Sequence, residues 1–349
     1  MTGAEAFGDA RGRGGARVII SLVEILLTGA SGFVGSLLLG ELSRDGHDVR
    51  ALTRDPSRMV GVGGVADDGA GSVSVVRGDA VTGEGLDRAL QGVEVAYYLI
   101  HSMEPVAGGD GGGGFVERER LAALNFAAAA RGAGVRRVVY LGGLVPRWTD
   151  ERDLGKAGRA RRSRHLASRE EVERILLEAV PDSLALRASI VIGARSRSFR
   201  LLVRLVERLP VLALPSWQRF RTQPIDERDV IAMLLAAATS ELSGEILEIG
   251  GPDVLSYGEV LERIAEAMLV GRPALRIGLS LTPVAGRVAA AIAAEDPELV
   301  VPLMEGLQGD LLTREDRAAE RLGVRLHSFD SAVGHALAEW ERAETLAAR

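Results

Sequence analysis

Cysteine is absent from all 349 residues, which excludes disulfides, thiolate metal centres and a cysteine nucleophile. Lysine is nearly absent: Lys156 stands alone among 42 basic residues, so chemistry that needs a lysine amine has one candidate. Tyrosine is scarce too, with Tyr97, Tyr98, Tyr140 and Tyr257 making up the whole set of 4. The 5 histidines (His47, His101, His165, His327 and His335) show no metal-ligand spacing, so no metal is expected. A net charge of −6 gives no field that would draw nucleic acid or an anionic membrane. The basic run Arg159–Arg164 is local, and reads as a solvated loop rather than a binding patch.

Missing as well is any segment with both the length and the apolarity needed to span a bilayer. Arg11, Arg13 and Arg17 ahead of Val18–Leu27 imitate a secretion signal. Glu24 interrupts that run, however, and the run passes straight into a glycine-rich turn, as a first strand would. A cytoplasmic protein is expected.

What is present is a regular alternation of short apolar strands with helical stretches, the pattern of a parallel sheet covered on both faces. Strands are expected near Leu22–Leu27, Asp48–Thr53, Val73–Val76, Val93–Ile100, Arg136–Leu141, Ser183–Ile192 and Glu245–Ile249. Helices are expected near Val34–Arg44, Leu86–Leu90, Phe115–Arg131, His165–Ala179, Asp226–Leu242 and Tyr257–Met268. The fold class is therefore α/β: a Rossmann doubly wound parallel sheet with a smaller, mainly helical C-terminal subdomain. Residues 1–16 read as a disordered leader, 17–250 as the NAD(P)-binding domain, and 251–349 as a substrate or partner subdomain interleaved with 191–230. The apolar stretch Leu279–Leu311 reads as core, with a membrane-surface or partner helix as the alternative; Glu295, Asp296 and Glu298 speak against anionic lipid.

The strongest signal is Thr28-Gly29-Ala30-Ser31-Gly32-Phe33-Val34-Gly35, directly after a strand and opening a helix. Gly29 permits the tight turn, Gly32 lets backbone N–H groups approach a pyrophosphate, and Gly35 lets the helix pack close to the sheet. The helix N-terminus attracts phosphate. Ser31, Phe33 and Val34 complete the expected cofactor contacts. About twenty residues on, an NAD enzyme usually places an acid on the ribose. Here Arg54 stands near that slot, with Arg58 one turn later, and a guanidinium matches a 2′-phosphate bidentately. NADP(H) is accordingly expected over NAD(H). The competing ribose acid would be Asp55, which precedes Pro56 and better suits a helix cap.

The spacing Gly29-x-x-Gly32-x-x-Gly35 resembles the extended and atypical short-chain dehydrogenases/reductases. Gly78-Asp79 looks like the adenine-contacting Asp of that family, and Asn125 falls where it keeps a helical Asn. Val138–Leu141, Leu186-Arg187-Ala188 and Gln223-Pro224-Ile225 with Asp229-Val230 also match, so the likeness spans most of residues 22–270. The runs Tyr97–Met103 and Tyr140–Pro146 are similar to an NAD(P)H-binding, NAD-dependent epimerase/dehydratase-like bacterial subgroup. It is related to NmrA-type redox-sensing regulators and to the accessory dehydrogenase-like subunit of respiratory complex I.

Active enzymes of the family use a Tyr-x-x-x-Lys pair. Four residues after the tyrosines stand His101, Ser102, Leu144 and Leu261, so this chain has no such pair. The slot looks held by His165-Leu166-Ala167-Ser168-Arg169, with Gly142 or Gly143 replacing the serine that usually ends the fifth strand. His165 is then a candidate general acid and Arg169 a candidate ribose ligand. The plain alternative is a helix-start histidine, with Arg169 paired to Glu173. His101, expected at a strand end, is a second acid/base candidate or a loop histidine, and the Gly108–Gly114 loop beside it reads as a lid or an insertion. Trp217 and Arg221, ahead of Gln223-Pro224-Ile225, suit a flat or anionic substrate, or simple packing. The expected function is NADP(H) binding that serves reduction or isomerisation of a small molecule, with a non-catalytic NADP(H) sensor or assembly protein as the alternative. A homo-oligomer or protein partner stays open.

Overall fold

A computed structural model describes residues 23–62, 71–100, 113–145, 164–209, 211–214, 216–276, 309–315 and 317–344. The first elements are β1 (Glu24–Thr28), α1 (Phe33–Arg44), β2 (Asp48–Thr53), β3 (Val73–Arg77), α2 (Leu86–Leu90), β4 (Val95–Tyr98), α3 (Gly113–Gly132), β5 (Arg137–Gly143), α4 (Arg164–Ala179) and β6 (Leu184–Ala188). Then come β7 (Val191–Ile192), α5 (Arg197–Arg208), β8 (Leu212–Leu214), β9 (Arg221–Thr222), β10 (Ile225–Asp226) and α6 (Glu227–Thr239). The last are β11 (Glu245–Ile249), β12 (Leu255–Ser256), α7 (Tyr257–Ala267), β13 (Ala274–Arg276), α8 (Ala318–Arg321) and α9 (Phe329–Ala343).

Seven strands form one sheet in the order β11-β6-β5-β4-β1-β2-β3, every neighbouring pair parallel. Parallel neighbours need crossovers, and the helices that supply them cover both faces. Successive strand residues therefore enter opposite cores. Ile25 and Leu27 meet Leu38 and Leu42 of α1 and Val230 and Leu234 of α6 on one side. Leu26 meets Ala123 and Phe126 of α3 and Leu176 of α4 on the other. Tyr97 and Tyr98 divide in the same way, which is why these strands read as unbroken apolar runs. The chain order reverses between β1 and β4, and the crevice outside the carboxyl ends there is the ligand position of doubly wound sheets.

A third core joins Phe199 and Val203 of α5, Tyr257 and Ile264 of α7, and Phe329, Val333 and Trp340 of α9. It draws on chain from both sides of β11. At the opposite end of the sheet, buried Arg137 donates to the carbonyls of Ala237 (2.7 Å), Ser240 (2.8 Å) and Leu242 (2.9 Å) and to Asp182 Oδ1 (2.7 Å). It thereby caps the C-terminus of α6 and ties that helix to the start of β5.

Two strands depart from their expected lengths. β4 stops at Tyr98 because the Leu99 N–H donates to the Thr28 hydroxyl (3.0 Å) rather than to a ladder carbonyl. The expected strand Ser183–Ile192 breaks at Ser189: β6 stays in the sheet, while β7 leaves it to pair with β10. Asp226 is the N-cap of α6, its carboxylate accepting from Arg228 N (2.8 Å), so the helix starts one residue later than its sequence pattern. Most of Leu279–Leu311 lies outside the described residues. Among those described, no helix is long and apolar enough to cross a membrane.

Candidate functional site

The candidate site is built on the turn between β1 and α1. Gly29 adopts φ +68°, and a Cβ there would stand 2.5 Å from the Leu99 carbonyl oxygen, so the turn accepts only glycine. The Thr28 hydroxyl donates to Tyr97 O (3.1 Å) and accepts from Leu99 N, stapling the ends of β1 and β4 at the point where the sheet order reverses. Gly35 packs on the turn itself. Gly32 is the N-cap of α1, has no side chain to cap with, and is exposed; no acid lies in the first turn. The first N–H groups of α1 thus lack a side-chain acceptor and face outward, which is the arrangement that receives an anion. Ser31, Phe33 and Val34, beside Gly32, are partly exposed.

The neighbouring strand ends bring the next candidates alongside. Arg54 follows β2 and is exposed, and no hydrogen bond or ion pair holds its guanidinium among the described residues. Asp55 caps a short 3-10 helix, Pro56–Met59. Its Oδ1 accepts from Ser57 N (3.0 Å) and Ser57 Oγ (2.7 Å), and these bonds hold its carboxyl below the ordinary range. The competing ribose acid is thus committed to a local cap. Arg58 lies within that short helix and is exposed. Gly78 stands beside Arg54, its N–H donating to Thr53 O (3.0 Å). Asp79 Oδ1 accepts from Val81 N (2.8 Å), so the carboxylate partly serves its own loop. Asn125 of α3 holds that loop by donating to Ala80 O (3.0 Å) and Val81 O (2.8 Å).

The opposite wall is α4. His165 falls in its first turn and Arg169 one turn on; the His165 side chain lies outside the described residues. The Arg169 carbonyl lies 3.5 Å from the Tyr140 hydroxyl, placing this turn beside the C-terminal half of β5. The alternative given for Arg169, a pair with Glu173, is not what the structure shows for that acid. Glu173 is instead taken by Arg187 of β6 in a buried two-bond pair, 2.8 and 2.7 Å, because the sheet presents a guanidinium directly beneath the helix. Ser168 donates to buried Glu119 of α3 (2.8 Å). These two contacts fix α4 in register against β6 and α3. His101 and most of the Gly108–Gly114 loop lie outside the described residues.

None of the four tyrosines is placed for proton transfer at this mouth: Tyr97 and Tyr257 are fully buried, and Tyr98 and Tyr140 nearly so. Burial pushes all four hydroxyls up. Arg221 makes a two-bond pair with Asp310, 3.0 and 2.7 Å, and its side chain stays half exposed. The side chain of Trp217 lies outside the described residues. Three residues of the site were not singled out from sequence: Thr28 as a staple, Glu119 as a brace for α4, and Arg195. Arg195 reaches over from the β7–α5 loop to donate to Ser36 Oγ (2.8 Å) in the first turn of α1. Only its place after Gly193, itself packed against Phe33, hinted at that position.

Residues 23–264 match the NmrA-like family. The chain belongs to that family. A relative of this NmrA-like chain is the ceramide reductase of Caulobacter vibrioides (strain NA1000 / CB15N), 31% identical over 252 residues, 70% of each protein. The ketoreductase CTB6 of Cercospora nicotianae is 31% identical over 133 residues. The chain spans about a third of that relative's length (36%) and of the 3-beta-hydroxysteroid dehydrogenase of Mycolicibacterium neoaurum (31%). Among solved structures, MoeE5 in complex with UDP-glucose and NAD superposes with TM-score 0.65 at 21% identity, covering 92% of this chain and 99% of that one. A nucleoside-diphosphate-sugar epimerase from Staphylococcus aureus gives 0.67 at 16%, covering 89% and 99%. At these identities the likeness is one of fold: a Rossmann sheet with an elaborated C-terminal part.

Proposed function

We propose that this NmrA-like chain binds NADP(H) and uses it to reduce or isomerise a small molecule. The observation that carries the reading is the pairing of an uncapped α1 N-terminus with an unengaged Arg54, while Asp55 is spent on a local cap. The α1 turn suits a pyrophosphate, since a Cβ on Gly32 would meet nothing nearer than Gly29 O at 3.1 Å. Gly29, Ser31, Gly32, Phe33, Val34 and Gly35 would hold the pyrophosphate, Arg54 and Arg58 the 2′-phosphate, Asp79 the adenine side, and Arg169 the nicotinamide ribose. Reductases among the relatives support the class of reaction.

Reduced nicotinamide, when bound, supplies a hydride. Reduction of a carbonyl also needs a proton at the oxygen, and the buried tyrosines cannot provide it. His165, in the first turn of α4, and His101 are the candidates for that proton.

The missing Tyr-x-x-x-Lys pair and the burial of every tyrosine favour one second reading: a sensor that binds the nucleotide without consuming it and shows the bound state to a partner. Calorimetry with NADPH and NADH, followed by NADPH oxidation across carbonyls, quinones and enones, separates the two. Binding with oxidation supports the enzyme, binding without it the sensor, and no binding overturns both.

A further inference from the structure

The start of α6 carries three acids, and two of them are fully satisfied. Asp226 accepts from Arg228 through its N, Nε and Nη2 atoms, 2.5–3.0 Å. Asp229 accepts from His327 N (2.8 Å) and faces His327 Nδ1 at 2.6 Å. Glu227 lies between them and is only 4% exposed, yet no backbone N–H or arginine donates to its carboxylate among the described residues. It faces two groups on α9 instead: His335 Nε2 at 3.5 Å, wide of a good hydrogen bond, and the carboxylate of Glu339.

We propose that Glu227, His335 and Glu339 form a binding site for a divalent transition-metal ion of the zinc class. One ligand atom from each lies within 4.8 Å of the others, and His335 Nε2 stands 3.5 Å from Glu227 Oε1 and 3.9 Å from Glu339 Oε2. Ligands held at the usual 2.0–2.2 Å around a tetrahedral ion are about 3.4 Å apart, so the three groups need only a small inward movement. His335 and Glu339 share one face of α9 at i, i+4, and Glu227 meets them from α6, which makes the third ligand a tertiary contact. One imidazole and two carboxylates suit zinc or manganese, and disfavour magnesium, which prefers oxygen alone. His335 and Glu339 are about a third exposed, which leaves a path for the ion and room for a water as the remaining ligand.

The ion would clamp the C-terminal helix onto the Rossmann body. Glu227 Oε2 is packed so tightly on the β7–α5 loop that a Cβ on Gly193 would fall 1.9 Å from it and 2.7 Å from the Phe33 ring. The clamp thus sits directly behind the phosphate-binding turn. Glu227 stands 108 positions from His335 in the sequence, so histidine spacing alone does not display this group.

The test is calorimetry and thermal unfolding of the chelator-stripped, nucleotide-free full chain with zinc chloride, manganese chloride and, as a control, magnesium chloride. The expected result is one zinc or manganese ion per chain and a higher Tm. His335→Ala and Glu339→Gln should each weaken binding at least tenfold and abolish the Tm rise, with circular dichroism unchanged. Glu339→Gln, at a partly exposed position, keeps the measurement open if His335→Ala does not fold. Absence of saturable 1:1 binding, or binding that survives Glu339→Gln, overturns the site. Because nucleotide is absent throughout, failure here leaves the cofactor reading untouched.

Discussion

Gly35 and Gly29 touch backbone to backbone: a Cβ on Gly35 would stand 2.1 Å from the Gly29 carbonyl oxygen. No rotamer relieves such a clash, since both partners are main chain. The substitution Gly35→Ala must therefore push α1 away from the turn, at a cost of about 1–3 kcal/mol typical of overpacking. A lower Tm and loss of NADPH binding are expected together. Gly32→Ala should separate the two effects, because only Gly29 O at 3.1 Å opposes its methyl group. That variant should keep nearly all its stability and still bind NADPH at least tenfold more weakly. Equal affinities for Gly32→Ala and the parent in calorimetry would remove the pyrophosphate from this turn.

Arg54→Ala should weaken NADPH selectively. A hydrogen bond to a charged group is worth about 1.5–3 kcal/mol, so a loss of roughly 10- to 150-fold is expected, with NADH affinity unchanged. A parent protein that binds NADPH and NADH equally would show that Arg54 does not meet a 2′-phosphate.

The α4 residues divide by role. His165→Ala should cut turnover by roughly 10²- to 10⁴-fold, the usual contribution of a general acid, with NADPH affinity retained. Arg169→Ala should chiefly weaken the nucleotide. If turnover on a discovered substrate survives both His165→Ala and His101→Ala, neither histidine delivers the proton.

Arg137 is a stability prediction remote from the site. Its side chain is 2% exposed, and Arg137→Met leaves three carbonyls without their donor, while Asp182, a third exposed, keeps Arg136. Leaving buried polar groups unsatisfied costs about 1–3 kcal/mol each, a loss of stability to be read by chemical denaturation. Burial would raise the Asp182 carboxyl, but the hydrogen bond and charge of Arg137, with Ser243 and Arg136, outweigh it and hold the carboxyl below the ordinary range. A carboxyl lowered by folding stabilises above its unfolded pKa, and that contribution is lost as pH falls through the folded value. Arg137→Met should therefore show a shallower loss of stability between about pH 5 and pH 2 than the parent.

Much of the molecule is legible in its linear order because the signals are local. β2 and β11 lie where their apolar runs place them, α1 opens at the glycines, and Asp55 before Pro56 caps the turn that follows. Alternating residues that must enter two cores specify a sheet covered on both faces, and Thr28–Gly35 specifies the glycine turn that joins β1 to α1. None of these depends on distant partners.

Tertiary structure decided the contacts that join residues far apart in the chain. Glu173 could have paired with Arg169 on its own helix; the sheet instead put Arg187 beneath it. Arg221 could have faced solvent alone; the fold instead set Asp310, 89 residues away, to accept from its Nε and Nη2. Glu227, His335 and Glu339 converge only because α9 folds back onto α6. Side-chain charge and type are written in the sequence, but which opposite charge lies within hydrogen-bonding reach is set by how the helices pack. Only the folded chain therefore distinguishes a guanidinium without a partner among the described residues, such as Arg54, from one already committed to the protein.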